Sequence, residues 1–131
     1  MKLLLDTHIW IWVVDRPEKL SRQVLRQIEN PKNELYLSPL SIWEAHHAQR
    51  LRRLRAPQGF GAWLDRALVQ SLLREAPLNF AVAAEAAAIE LPQSDLGDVF
   101  LAATARVLGL TLVTSDTQLL ACPWLKTLAN D

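Results

Sequence analysis

The sequence predicts an α/β fold, a three-layer α/β/α sandwich around a short, mainly parallel sheet. Three observations point there: short apolar or β-branched runs at residues 2–6, 34–37 and 111–114, helix-favouring segments between them, and a turn residue or acid closing each run. Strands that read as continuous apolar runs, rather than alternating ones, are those buried on both faces of a parallel sheet.

Residues 2–6 form the first such run, Leu3-Leu4-Leu5 ending abruptly on Asp6. Thr7 can cap the turn or two of helix expected over 9–14, which Asp15-Arg16-Pro17 stops. Val24, Leu25 and Ile28 at helical spacing predict a helix over 21–29, with Ser21 as N-cap and Asn30-Pro31 as its stop. A brief strand at 34–37 follows, closed by Ser38-Pro39. Leu40, Trp43, His47, Leu51 and Leu54 recur at steps of three and four, which predicts an amphipathic helix over 40–53 with those residues inward. After the turn Ala56-Pro57-Gln58-Gly59, residues 60–73 again show helical spacing, and Pro77 bars any continuation. Residues 80–89 are alanine-rich and helix-favouring. A loop over 91–97 opens into a helix over 98–108, which Gly109 ends. The strand at 111–114 stops at Ser115-Asp116, and a short helix at 118–120 and a strand at 125–128 complete the chain.

With 131 residues, 50% hydrophobic and 21% charged, the chain suits one packed domain over 1–131 and is too apolar for a disordered one. Lys plus Arg equals Asp plus Glu at 14 each, so any attraction for phosphates must be local. The single cysteine, Cys122, excludes an internal disulfide and is expected to serve as a buried apolar residue. Asp6 and His8 interrupt the amino-terminal apolar run before a signal sequence forms, and no stretch approaches the about 20 apolar residues of a membrane helix. The expected location is the cytoplasm.

Asp6 and Asp116 each follow an apolar strand at its carboxyl end, where open parallel sheets place their ligands. Asp98 opens an apolar helix, where an aspartate also serves as a cap, and Glu44 stands in the early turns of another, where it also suits a solvated face. Strand ends and helix starts that converge on one sheet edge would crowd the four acids together. Crowded carboxylates repel unless a cation neutralises them, and an oxygen-only set suits a hard ion such as Mg²⁺ or Mn²⁺.

In order and spacing, Leu3-Leu4-Leu5-Asp6-Thr7-His8, Ser41-Ile42-Trp43-Glu44, the run from Asp98 to Ala105, and Leu112-Val113-Thr114-Ser115-Asp116 resemble the motifs of PIN-domain nucleases. The likeness is strongest to the toxin subunits of VapBC-type toxin-antitoxin pairs. It implies that Asp6, Glu44 and Asp98 hold the metal, Mg²⁺ or Mn²⁺, that Asp116 is an auxiliary metal-binding and catalytic acid, and that Thr114 or Ser115 lies in the same pocket. Thr7, Thr114 and Ser115 are accordingly expected to contact substrate. The resemblance also implies a metal-dependent endoribonuclease, a homodimer and a small VapB-like antitoxin partner. The chain departs from the family at Val99, where an arginine is common, and at Ala48, where a lysine is.

Arg50, Arg52, Arg53 and Arg55 set four guanidinium groups within six residues. Three readings stand open for them: a grip on RNA phosphates, a solvated helix end, or a dock for an acidic partner. His8 reads as a structural residue beside the first helix, and the adjacent His46 and His47 cannot share a metal from one helix face. Trp10 and Trp12 lie about 200° apart on a helix, so one of them is expected at a surface, as an interface residue or a base-stacking platform. A non-catalytic PIN-fold binding module is the alternative, and a phosphatase with paired strand-end aspartates is disfavoured because His8 stands where its second acid would.

Overall fold

The architecture, taken from a computed structural model that describes residues 1–91 and 95–131, is an α/β sandwich. Five strands, β1 (Lys2–Leu5), β2 (Glu34–Leu37), β3 (Arg74–Glu75), β4 (Thr111–Thr114) and β5 (Thr127–Ala129), pair in parallel in the order β3-β2-β1-β4-β5. Seven α-helices accompany them among the described residues, α1 (Thr7–Asp15), α2 (Arg22–Glu29), α3 (Pro39–Arg50), α4 (Phe60–Gln70), α5 (Phe80–Ala88), α6 (Leu96–Leu108) and α7 (Thr117–Leu120), with a 3₁₀ turn at Pro17–Lys19.

Leu3, Leu4 and Leu5 are wholly inaccessible, which is why β1 takes the central place. Each contributes about 1.5–3 kcal/mol of apolar burial. The pleat divides them between two cores. Leu3 and Leu5 join Val113, Trp10, Val24 and Trp63 beneath the first four helices, whereas Leu4 joins Leu112, Leu101, Ala102 and Leu119 on the other side. These two cores make the three layers.

The chain runs outward from β1 through β2 to β3, then returns through α5 and α6 to lay β4 on the opposite side of β1. The order therefore reverses between β1 and β4, and a crevice opens at their carboxyl ends. Leu5 pairs with Val113, and the Asp6 N–H donates to the Val113 carbonyl at 3.0 Å, so Asp6 comes level with Thr114.

Several elements differ from expectation. Helix α1 starts at Thr7 rather than 9, with Asp6 and not Thr7 at the cap position. In α3 the buried residues are Ser41 and Ala45, while Trp43, expected inside, is 59% exposed. Small side chains on that face let α3 lie close against α1, where the Thr7 and Ser41 hydroxyl oxygens are 2.8 Å apart. Helix α4 ends at Gln70, and Arg74–Glu75 is an unforeseen edge strand, too short and too charged to carry a strand pattern. Helix α6 begins at Leu96, two residues early, because Asp95 accepts a hydrogen bond from the Asp98 N–H at 2.8 Å and caps it. Strand β5 is Thr127–Ala129 rather than 125–128. The loop expected over 91–97 falls partly on residues 92–94, outside the described residues. Cys122 is half-buried, with its Sγ 3.5 Å from the Gln118 carbonyl.

Candidate active site

Asp6 leaves β1 at the reversal of strand order. Although it holds the cap position of α1, its carboxylate makes no capping bond and instead accepts the Thr114 hydroxyl at 2.7 Å. The same oxygen of Thr114 accepts the Asp116 N–H at 3.0 Å, so one fully buried hydroxyl fixes both strand ends. Burial pushes the Asp6 carboxyl above its usual pKa, opposed in part by the Thr114 bond and by His8.

Glu44 is placed by α3. Ser38 caps that helix, accepting from the Leu40 N–H at 3.1 Å, and Pro39 starts it straight after β2. Ser41, Glu44 and Ala45 then share the face turned to α1. The Thr7 hydroxyl is 2.6 Å from Glu44 Oε1 and has a single proton to give. A carboxylate only accepts, so Thr7 donates to Glu44 and is free to accept from Ser41. Burial raises the Glu44 pKa, the Thr7 bond lowers it, and Asp6 and Asp95 raise it further.

Asp98 lies in the first turn of α6. Because Asp95 takes the capping role, the Asp98 carboxylate is left for the cleft. Burial first, then the charges of Asp95, Asp116, Asp6 and Glu44, push its pKa up to about 7. Asp116, by contrast, is itself a cap, accepting from the N–H groups of Gln118 at 2.8 Å and Leu119 at 3.3 Å at the start of α7. The sequence left capping open for Asp98, whose carboxylate is free of it, whereas Asp116 is the acid that caps.

Gly97 lets α6 approach Glu44. A Cβ there would sit 2.5 Å from Glu44 Oε2 and 3.3 Å from its Cδ. The obstructing group is the tip of a flexible side chain, and alanine is worth about 0.5–1 kcal/mol over glycine inside a helix. Gly97→Ala is therefore expected to leave the melting temperature unchanged or slightly raised while pushing Glu44 off Thr7, with the affinity of the acid cluster for a divalent ion falling by about 10–100-fold, the usual cost of disturbing a group that orients a ligand. Thermal melts beside a Mn²⁺ titration check both halves.

The four acids, with Asp95, line one cleft of about 510 Å³. Ser115, Arg53, His8, His47, Trp12 and Trp43 also face it. Ser115 is exposed, its hydroxyl donating to the Asn130 carbonyl at 3.2 Å. Thr7 and Thr114 are buried, with their hydroxyls directed at Glu44 and Asp6. Arg52 lines an adjoining groove, and Arg50 lines neither space. His8, expected to be packed, is exposed on α1 with its ring tilted against Trp12 at 6.3 Å. His47 lies against Trp43 at 5.4 Å, while His46 meets Phe60 at 5.1 Å. Trp10 packs in the core edge-on to Trp63 at 5.2 Å, and Trp12 takes the cleft side. Ala48, where the resemblance expects a lysine, lines the cleft too; Arg53 is the cation that reaches it. Sequence reasoning missed Asp95 and Gly97 as parts of the site, although an aspartate three residues ahead of another at a helix start is itself a capping signal.

The donors are hard oxygens whose charges crowd one another, the chemistry that suits a divalent cation of the Mg²⁺ or Mn²⁺ kind. Among the described residues no three His, Cys, Asp or Glu side chains are grouped tightly enough to cage an ion by themselves. Mg²⁺ keeps several of its waters and binds through one or two carboxylates, so the set fits an ion held partly through its hydration shell.

Residues 3–124 match the family model described as PIN domain. The chain belongs to the PIN-domain family. That family is, in general, one of nucleases that use divalent metal ions. This PIN domain is similar in fold to VapBC2 from Rickettsia felis bound to a DNA fragment from their promoter, with 21% identity over 100% of both chains and a TM-score of 0.72. DNA-bound VapBC from Salmonella typhimurium gives 20% identity over 98% of both chains and a TM-score of 0.72. FitAcB from Neisseria gonorrhoeae gives 27% identity over 88% of both chains and a TM-score of 0.62. No curated protein matches this PIN domain in sequence. Among the described residues no helix is long and apolar enough to cross a membrane.

Proposed function

We propose that this PIN domain is a metal-dependent endoribonuclease that cleaves single-stranded or loop RNA and acts as the toxin of a VapBC-type pair. The observation that carries the reading is the meeting of Asp6, Glu44, Asp98 and Asp116 in one cleft at the point where strand order reverses. Asp6, Glu44 and Asp98 would hold a divalent ion there, and that ion would supply the positive charge a phosphodiester needs and a more acidic water. Its charge would lower the raised pKa values of those three acids.

The chain's own contribution is to hold its acids still. Thr114 fixes Asp6, Thr7 fixes Glu44, and Asp95 starts the helix that carries Asp98. Thr7 and Thr114 act on the substrate through the carboxylates they position, whereas Ser115 and Arg53 face it directly. Arg53 offers its planar fork to phosphate oxygens beside the acidic wall. The VapBC and FitAcB likenesses support a VapB-like antitoxin partner, and a homodimer working in the cytoplasm is the arrangement that the motif resemblance implies.

Incubation of the purified chain with tRNA and other structured RNAs, with Mg²⁺ or Mn²⁺, tests this reading. Cleavage is expected, is lost on chelation, and falls by more than about 100-fold in Asp6→Asn, beyond the loss usual for a group that only orients a ligand. Cleavage that persists in Asp6→Asn, or none by the parent chain with either ion, overturns it.

A further inference from the structure

A groove of about 590 Å³ adjoins the acid cleft, sharing Ile11, Trp12 and Arg53 as a common wall. Arg16, Lys19, Arg52, Arg53 and Arg55 line it, facing one carboxylate, Asp15. Both oxygens of Asp15 lie 3.2 Å from the Trp63 indole N–H, which shares the charge of that acid. Among the described residues the ion pairs use Lys2, Arg74 and Arg106, and none of the groove cations. In a chain whose 14 basic residues equal its 14 acids, five cations on one small concave surface form a local field that net charge conceals.

We propose that this groove is the track for the phosphate backbone of a single RNA strand, which leaves it past Trp12 and Arg53 to enter the carboxylate cleft. The inference rests on the nuclease reading and adds to it a defined path on one side of the scissile bond. Guanidinium forks match phosphate oxygens. Trp12 carries Lys19 Nζ over its ring at 5.4 Å and stands at the junction, where a base can stack. A duplex is recognised across successive minor grooves over about 16 base pairs, far more surface than this groove offers. An acidic peptide is disfavoured by continuity: its next carboxylate would meet Asp6, Glu44 and Asp98, whereas the next phosphate would meet the cation those acids bind. Arg50, in the same cluster of sequence, lies outside the path.

The test measures binding apart from cleavage, by fluorescence anisotropy of a labelled, mixed-sequence single-stranded RNA on the full chain carrying Asp6→Asn, with Mg²⁺, over a range of salt. Single-strand binding loses affinity with a log-log slope of about −0.7 per phosphate neutralised, so contacts from all five cations give about −3.5. Adding Arg52→Gly and Arg55→Ala is expected to make that slope shallower by about 1.4. Arg52 has φ 60, a left-handed conformation that glycine adopts without strain, so that change removes a cation while relieving the backbone, and weaker binding cannot then be laid to unfolding. Arg106→Ala, in the opposite layer against Trp124, is expected to leave the slope unchanged. An unaltered slope in the groove variant overturns the track even if the parent chain cleaves RNA. Groove-dependent binding by a chain that never cleaves keeps the track and removes the nuclease. Poly-glutamate that displaces the RNA at equal charge concentration assigns the groove to an acidic protein segment and overturns the proposal.

Discussion

Asp98→Asn is expected to abolish RNA cleavage and, in metal-free protein, to raise the melting temperature. The two effects share one cause. The carboxylate of Asp98 faces Asp95, Asp116, Asp6 and Glu44, and without a cation that crowding disfavours the folded state. The amide has the same shape and no charge, and the capping bond from the Asp98 backbone N–H to Asp95 does not involve the side chain being changed. Solvent screening at a half-buried group limits the gain to about 1 kcal/mol, or roughly 3–5 °C for a chain of this size. Loss of a metal-binding oxygen costs more than the about 10–100-fold typical of a supporting residue. Melts by circular dichroism and a cleavage assay on the same preparation read both. A variant that melts lower than its parent without metal would contradict the crowding, and a fully active one would remove Asp98 from the chemistry.

The second large effect is a dependence of stability on pH that a divalent ion reverses. Asp6, Glu44 and Asp98 all hold their protons more tightly in the folded chain than in the unfolded one, where the aspartates titrate near 3.8 and the glutamate near 4.5. Groups with raised folded pKa values lend stability that is complete below those unfolded values and is lost as pH climbs, here to about 7 for Asp98. Metal-free protein should therefore melt lower at pH 8 than at pH 5, the loss beginning near pH 4 and being complete for Asp98 above about pH 7. Mg²⁺ binds the ionised acids of the native state alone, so its stabilising increment should be larger at pH 8 than at pH 5. Equal increments at both pH values, or a metal-free protein that grows more stable towards pH 8, would refute the account.

The layers and the carboxyl-edge site were legible because their signals are local. Leu3-Leu4-Leu5 before Asp6 and the β-branched run before Ser115-Asp116 each announce a buried strand ending in an acid. What stayed hidden depends on contacts between distant elements. Helical periodicity in α3 favoured Trp43 and Leu51 as core residues, yet close approach to α1 selected Ser41 and Ala45 instead, a preference set by the partner helix. The division of labour between Asp95 and Asp98 turned on where α6 begins, a boundary of two residues. Strand β3 owes its place to pairing with β2, through Tyr36 with Arg74 and Leu37 with Glu75, and its own side chains are exposed. The groove cations come from two stretches, 16–19 and 52–55, and only folding makes them one surface.

The clamp between Thr114 and Asp6 spans 108 residues, and Asn130 reaches back to the same end of the molecule, its side chain accepting from the Ser21 N–H at 2.6 Å and donating to the Lys19 carbonyl at 3.2 Å. During synthesis Asp6 precedes by 108 residues the hydroxyl that anchors it, so the carboxylate cluster can assemble only after β4 has been made.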